Sequence, residues 1–173
     1  MARALRAVAL VGLLVWTLTG CGRTRAPSRS GFDPREAFEN VLELKDAADA
    51  ARLDIVADGE QVERGRRDQS RHAHETADQA YRTALVRFLN TALNEQPHAV
   101  ETRQALELYA REAASTLDEI RHLGGDPKGV LEALAGTARA CREAGVEEPA
   151  ALRSALGKAR AAAFPSPGPG HAP

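Results

Sequence analysis

The chain has 173 residues, 43% apolar and only 4% aromatic, with 23 Lys and Arg against 24 Asp and Glu for a formal net charge of −1. A near-balanced chain of this size lacks the clustered basic face that binding nucleic acid demands, and its length suits one domain with a single core. With so few aromatics and abundant alanine, that core has to come from close approach of helices.

The first segment places Arg3 and Arg6 before a mainly apolar run from Ala7 to Leu18, closed by Leu18-Thr19-Gly20-Cys21. A positive start, a short apolar core and small residues before a cleavage point are the parts of a secretory signal, and the run is too short to span a bilayer. The four closing residues resemble the lipobox of bacterial lipoproteins. That resemblance implies cleavage between Gly20 and Cys21 and acylation of the Cys21 thiol. The covalent diacylglycerol and acyl chains at Cys21 are then the anchor, and no other cofactor is expected. Two or three such chains hold a protein stably at about 0.8 kcal/mol per buried methylene. The expected location is the cell membrane. In a two-membrane envelope it is the inner leaflet of the outer membrane, facing the periplasm, because Gly22 is not the Asp of an inner-membrane retention signal.

Residues 1–20 therefore read as a signal peptide and residues 21–32 as the lipidated cysteine with a flexible, disordered tether. Gly22 to Gly31 carries Arg23, Arg25 and Arg29 and no aliphatic residue larger than Ala26. At full extension it reaches at most about 35 Å, which keeps the domain near the membrane. Without Arg3 and Arg6, 21 basic residues face 24 acidic ones.

Residues 33–164 read as an all-α bundle of four or five helices. Asp33-Pro34 and Asp126-Pro127 each set an N-cap before proline at the first helical position. Glu36 is placed to complete a capping box at the first. The helix that follows carries Ala37, Val41, Leu44, Ala48, Ala51 and Ile55 at spacings of four and three, one apolar stripe. From Asp58 to Arg71 the chain is charged and contains Gly59 and Gly65. It is either a connection or the solvated first half of the next helix. Ala77, Tyr81, Ala84, Leu85, Phe88, Ala92 and Leu93 form a second, broader face. Val100, Leu106, Ala110, Ala113, Leu117 and Ile120 form a third, which Gly124-Gly125 ends. A shorter helix carries Leu131, Leu134, Ala138 and Cys141 before Gly145, and a last one from Pro149 carries Leu152, Ala155, Leu156, Ala159 and Ala163. Residues 165–173, rich in Pro and Gly, have no means of building a core and read as a disordered tail.

Chemistry has few footholds in this pattern. His72, His74 and Asp78 are the weak metal candidates: His74 and Asp78 are four apart and share a helix face, as do His72 and Glu75 at three apart. A zinc site needs at least three protein ligands, so other helices must supply the rest, and a solvated helix entry is the favoured reading. Cys141 lies on an apolar stripe and reads as a buried, inert thiol. No nucleophile elbow, His-Glu-x-x-His or phosphate loop occurs, so no catalytic residue is assigned and no enzyme is expected. The expectation is a lipid-anchored, non-catalytic helical domain that binds another envelope protein as an accessory, assembly or chaperone-like module. The alternative is a metal-binding or metal-sensing bundle of the periplasm.

Overall fold

The computed structural model describes residues 31–57 and 64–164. The signal and lipobox with Gly20 and Cys21, the tether up to Ser30, the connection 58–63 and the tail 165–173 lie outside them. The described residues form five helices: α1 (Pro34–Ala57), α2 (Arg64–Glu95), α3 (Val100–His122), α4 (Lys128–Ala144) and α5 (Ala150–Ala163). No strand occurs among them, so the chain folds as an all-α five-helix bundle.

The helix ends are where local chemistry puts them. The Asp33 carboxylate accepts from the Arg35 amide at 2.9 Å, and the Asp126 carboxylate from the Lys128 amide at 3.0 Å; Pro34 opens α1 as expected, whereas α4 opens one residue later than expected, at Lys128, with Pro127 in the cap position. At the far end of α3, Gly124 takes a φ of +69°, and the Gly125 amide closes back on the Ile120 carbonyl at 2.8 Å. Gly145 does the same for α4 with a φ of +72°, and Val146 N–H reaches the Cys141 carbonyl at 2.9 Å. Both are left-handed caps that a side chain would strain. Arg64 to Arg71 belongs to α2, so of the two readings of this charged stretch the helical one holds there, with Gly65 inside the helix.

Helix α1 lies antiparallel along α2, with the Phe38 ring tilted against Phe88 at a centroid distance of 5.3 Å and the earlier Phe32 tilted against the same ring at 5.9 Å. Phe32, read above as tether, is thus already part of the packed domain. Helix α3 touches every other helix and lies antiparallel to α2, while α5 packs on α3 and α4. The core that results runs from Val41 and Phe38 through Leu85, Leu89, Leu106, Tyr109 and Leu117 to Leu134, Cys141 and Leu152. Alanines at 92, 105, 110, 113, 138, 155 and 159 are buried between these residues and let the helices approach closely.

One stripe residue departs from the pattern. Val100 is 66% exposed, because its six-residue step to Leu106 turns it away from the face that Leu106 and Ala110 occupy. Thr102 takes the inward place instead, fully buried, with its hydroxyl donating to the Gln96 carbonyl at 2.7 Å across the α2–α3 turn. No described helix is long and apolar enough to cross a membrane.

Candidate functional site

Helix α2 carries the three candidate metal residues His72, His74 and Asp78. At 32 residues it spans about 48 Å, against about 35 Å for α3. Its first turns therefore extend past the body with α1 alone alongside.

His72 sits exposed on that stretch, and its carbonyl accepts from the Thr76 hydroxyl at 2.9 Å. His74 is half-buried, with Nδ1 enclosed and lacking a hydrogen-bond partner. Asp78, four residues on, is committed elsewhere: Arg82 Nε lies 2.9 Å from one carboxylate oxygen and 3.0 Å from the other. Both side chains are about four-fifths hidden, at 20% and 22% exposure. Among the described residues no three His, Cys, Asp or Glu side chains gather closely enough to hold a metal ion.

What surrounds Asp78 is a polar cluster joining three helices. Arg82 also donates to the Thr116 hydroxyl at 3.3 Å, and that hydroxyl donates to the Glu112 carbonyl at 3.0 Å. The Tyr81 hydroxyl donates to the Glu112 carboxylate at 3.3 Å. On α1, the Lys45 ammonium pairs with Asp49. The Asp49 bond, with further attraction from Glu112 and Asp46, raises the Lys45 pKa even though partial burial opposes it. The Tyr81 hydroxyl is pushed well above its ordinary pKa, first by burial and then by the Glu112 charge, so it remains a donor. Each carboxylate here has a cation or hydroxyl to answer it; the bonds from Tyr81 and Arg82 tie α2 to α3, and the Lys45–Asp49 pair of α1 lies near enough to feel the Glu112 charge. The Asp78–Arg82 spacing of four was legible in the sequence; Glu112, thirty residues further along, carried no local signal.

Two deeper groups are chemically quiet. The Cys141 thiol is fully buried, and burial, assisted by the Glu148 charge, raises its pKa to about 11. Tyr109 is buried beside Thr137, and burial raises its pKa to about 12.

On the side of α2 away from α3, an open groove of about 670 Å³ runs between α1 and α2. Phe32, Val41, Leu44 and Phe88 line it with Ala37, Ala80 and Ala84, while Asn40, Thr76, Gln79, Thr83, Arg87 and Thr91 supply polar walls. Sequence periodicity showed the apolar stripes that meet beneath it, but not that the meeting leaves a channel.

No protein family, no curated protein and no solved structure matches the chain.

Proposed function

We propose that the protein is a membrane-anchored lipoprotein of the bacterial envelope whose helical bundle binds another envelope protein without catalysing a reaction. The observation that carries this reading is Leu18-Thr19-Gly20-Cys21, which closes a short apolar run that begins after Arg3 and Arg6. Cys21 is the acylated residue in this reading, and Gly20 precedes the cleaved bond. The architecture of the domain is consistent with a binding role. Asp78, Arg82, Tyr81 and Glu112 are spent on one another and on Thr116, the one described cysteine is buried with a raised pKa, and an open groove runs between two helices. Such a groove suits the helix-in-groove mode of recognition.

Metabolic labelling with an alkyne fatty-acid analogue tests the anchor. The wild-type chain becomes labelled and partitions with membranes, and the Cys21→Ser chain does neither. Equal labelling of the two chains refutes the lipobox reading. In-cell crosslinking of the anchored form then tests the binding role: recovery of one dominant partner supports it, and random neighbours in proportion to their abundance refute it.

A further inference from the structure

We infer that the α1–α2 groove seats an amphipathic helix of a partner protein, one carrying basic residues along one edge and an acidic residue on the other; this rests on the reading of the chain as an anchored binding module. The charges around the groove define that chemistry. Asn40 lines the α1 wall, and Glu36 and Glu43, four residues before and three after it, stand on the same side of the helix, both exposed. On the α2 wall the one charged lining residue is the exposed Arg87. None of these three side chains has an ion-pair partner among the described residues.

One rim is therefore anionic and the other cationic, above a floor of Val41, Leu44 and Phe88. Along α2 the lining runs from Thr76 to Thr91, a length of about 22 Å that matches about four helical turns of an occupant. The short side chains at 80 and 84 let its backbone come close. A membrane surface does not fit this pattern, because Glu36 and Glu43 would face anionic headgroups. A helix with its apolar stripe down and opposite charges on its two edges answers all three features.

The test uses the full-length, membrane-anchored chain with the photo-crosslinking residue benzoylphenylalanine at Ala80, in the groove, or at Lys158, on the exposed side of α5. Irradiation in cells and sequencing of the crosslinked peptides are expected to give, from Ala80, one helical segment with a basic and an acidic edge. Arg87→Glu lowers that yield about fivefold, and the Glu36→Lys, Glu43→Lys double variant does so similarly. Circular dichroism shows both variants folded, and reversing the partner's acidic residue restores the yield with Arg87→Glu. Crosslinks from Ala80 to lipid, to a second copy or to the chain's own N-terminal segment overturn the inference, as do charge-reversal variants that crosslink like the wild type. Protein crosslinks from Lys158 alone overturn the groove and leave the binding module standing. Protein crosslinks from neither position overturn both.

Discussion

Arg82→Ala is the substitution that most directly probes how the bundle is held together. In the folded chain its guanidinium pairs with Asp78 at 2.9 Å and donates to Thr116 at 3.3 Å, with both charged side chains about four-fifths hidden. A surface pair four residues apart on a helix contributes about 0.3–0.5 kcal/mol, and Arg35–Glu39, at 79% and 61% exposure, is such a pair. Hydrogen bonds to charged groups that are shielded from water contribute about 1.5–3 kcal/mol. Removing Arg82 also leaves Asp78 without its partner, so a loss of about 2 kcal/mol is expected. Urea unfolding of the chain from residue 21 onward, with Cys21→Ser, measures it. With a slope of about 2 kcal/mol per molar urea the midpoint falls by about 1 M for Arg82→Ala, and by about 0.2 M for Arg35→Ala. A double-mutant cycle with Asp78→Ala recovers most of the Arg82 effect as coupling. Equal shifts for Arg82→Ala and Arg35→Ala would refute the claim that the cluster couples helices, because a solvated pair and a shielded one would then behave alike.

The remaining expectations concern core, caps and pH. Leu134→Ala, at a side chain fully enclosed between helices, destabilises by about 3 kcal/mol in the same urea assay with an unchanged slope. Gly145→Ala, at a φ of +72°, costs about 1 kcal/mol, whereas Gly157→Ala, in the exposed interior of α5 with nothing within 4 Å of the added methyl, gains about 0.5–1 kcal/mol. If both alanines shift stability in the same direction, the cap geometry is wrong. The Cys141 thiol has a folded pKa of about 11, raised chiefly by burial, so its contribution is intact below the unfolded value and is lost as pH rises from about 8.5 toward 11. From about pH 8.5 to 9.5 this loss is up to about 1.4 kcal/mol per pH unit and Cys141→Ala removes it, while nearer pH 10 Tyr81 and Tyr109, whose pKa values are also raised by burial, add a further fall that Cys141→Ala leaves in place.

The helices were legible because their ends are written in short-range chemistry: Asp before Pro, and glycine where φ turns positive. The inward faces were legible only where a helix meets the core on one narrow arc. Helix α5 is such a case, with Leu152, Ala155, Leu156 and Ala159 all buried as the spacing of three and four requires. Helix α2 is not. It packs on α1, α3 and α4 together, so Val86 and Leu89 are buried outside the single stripe that the spacing selects. The candidate metal residues failed to converge for a similar reason. Spacing along one helix shows that His74 and Asp78 share a face, but a stronger partner, Arg82, stands one turn further along and takes the carboxylate. Glu112 and the groove depend on which helices become neighbours, and no local pattern encodes that.

The same topology predicts unequal stability across the molecule. Helix α1 buries Phe38, Val41 and Ala48 and rests chiefly on α2, whereas α3 buries nine residues along its length and touches every other helix. Beyond Ala48, α1 carries Leu53 and Val56 at 68% and 72% exposure, so its last turns add little to the interface. Opening of α1 exposes much less apolar surface than opening of α3, and its amides are expected to exchange through a sub-global opening. Hydrogen exchange read by mass spectrometry should place α1 at least about 1.4 kcal/mol below α3 in opening free energy, a tenfold difference in protection. Arg82→Ala removes bonds within α2 and from α2 to α3 and none to α1, so it lowers the global limit that α3 reports and should narrow that gap. If α1 and α3 exchange together at the global limit, the tilted Phe38–Phe88 contact and the apolar seam around it lock the hairpin more firmly than their area suggests. An α1 that opens separately has a functional corollary, because the groove exists only while α1 lies against α2. An occupant spanning both walls then binds the closed hairpin alone and must raise the protection of α1 by its own binding free energy.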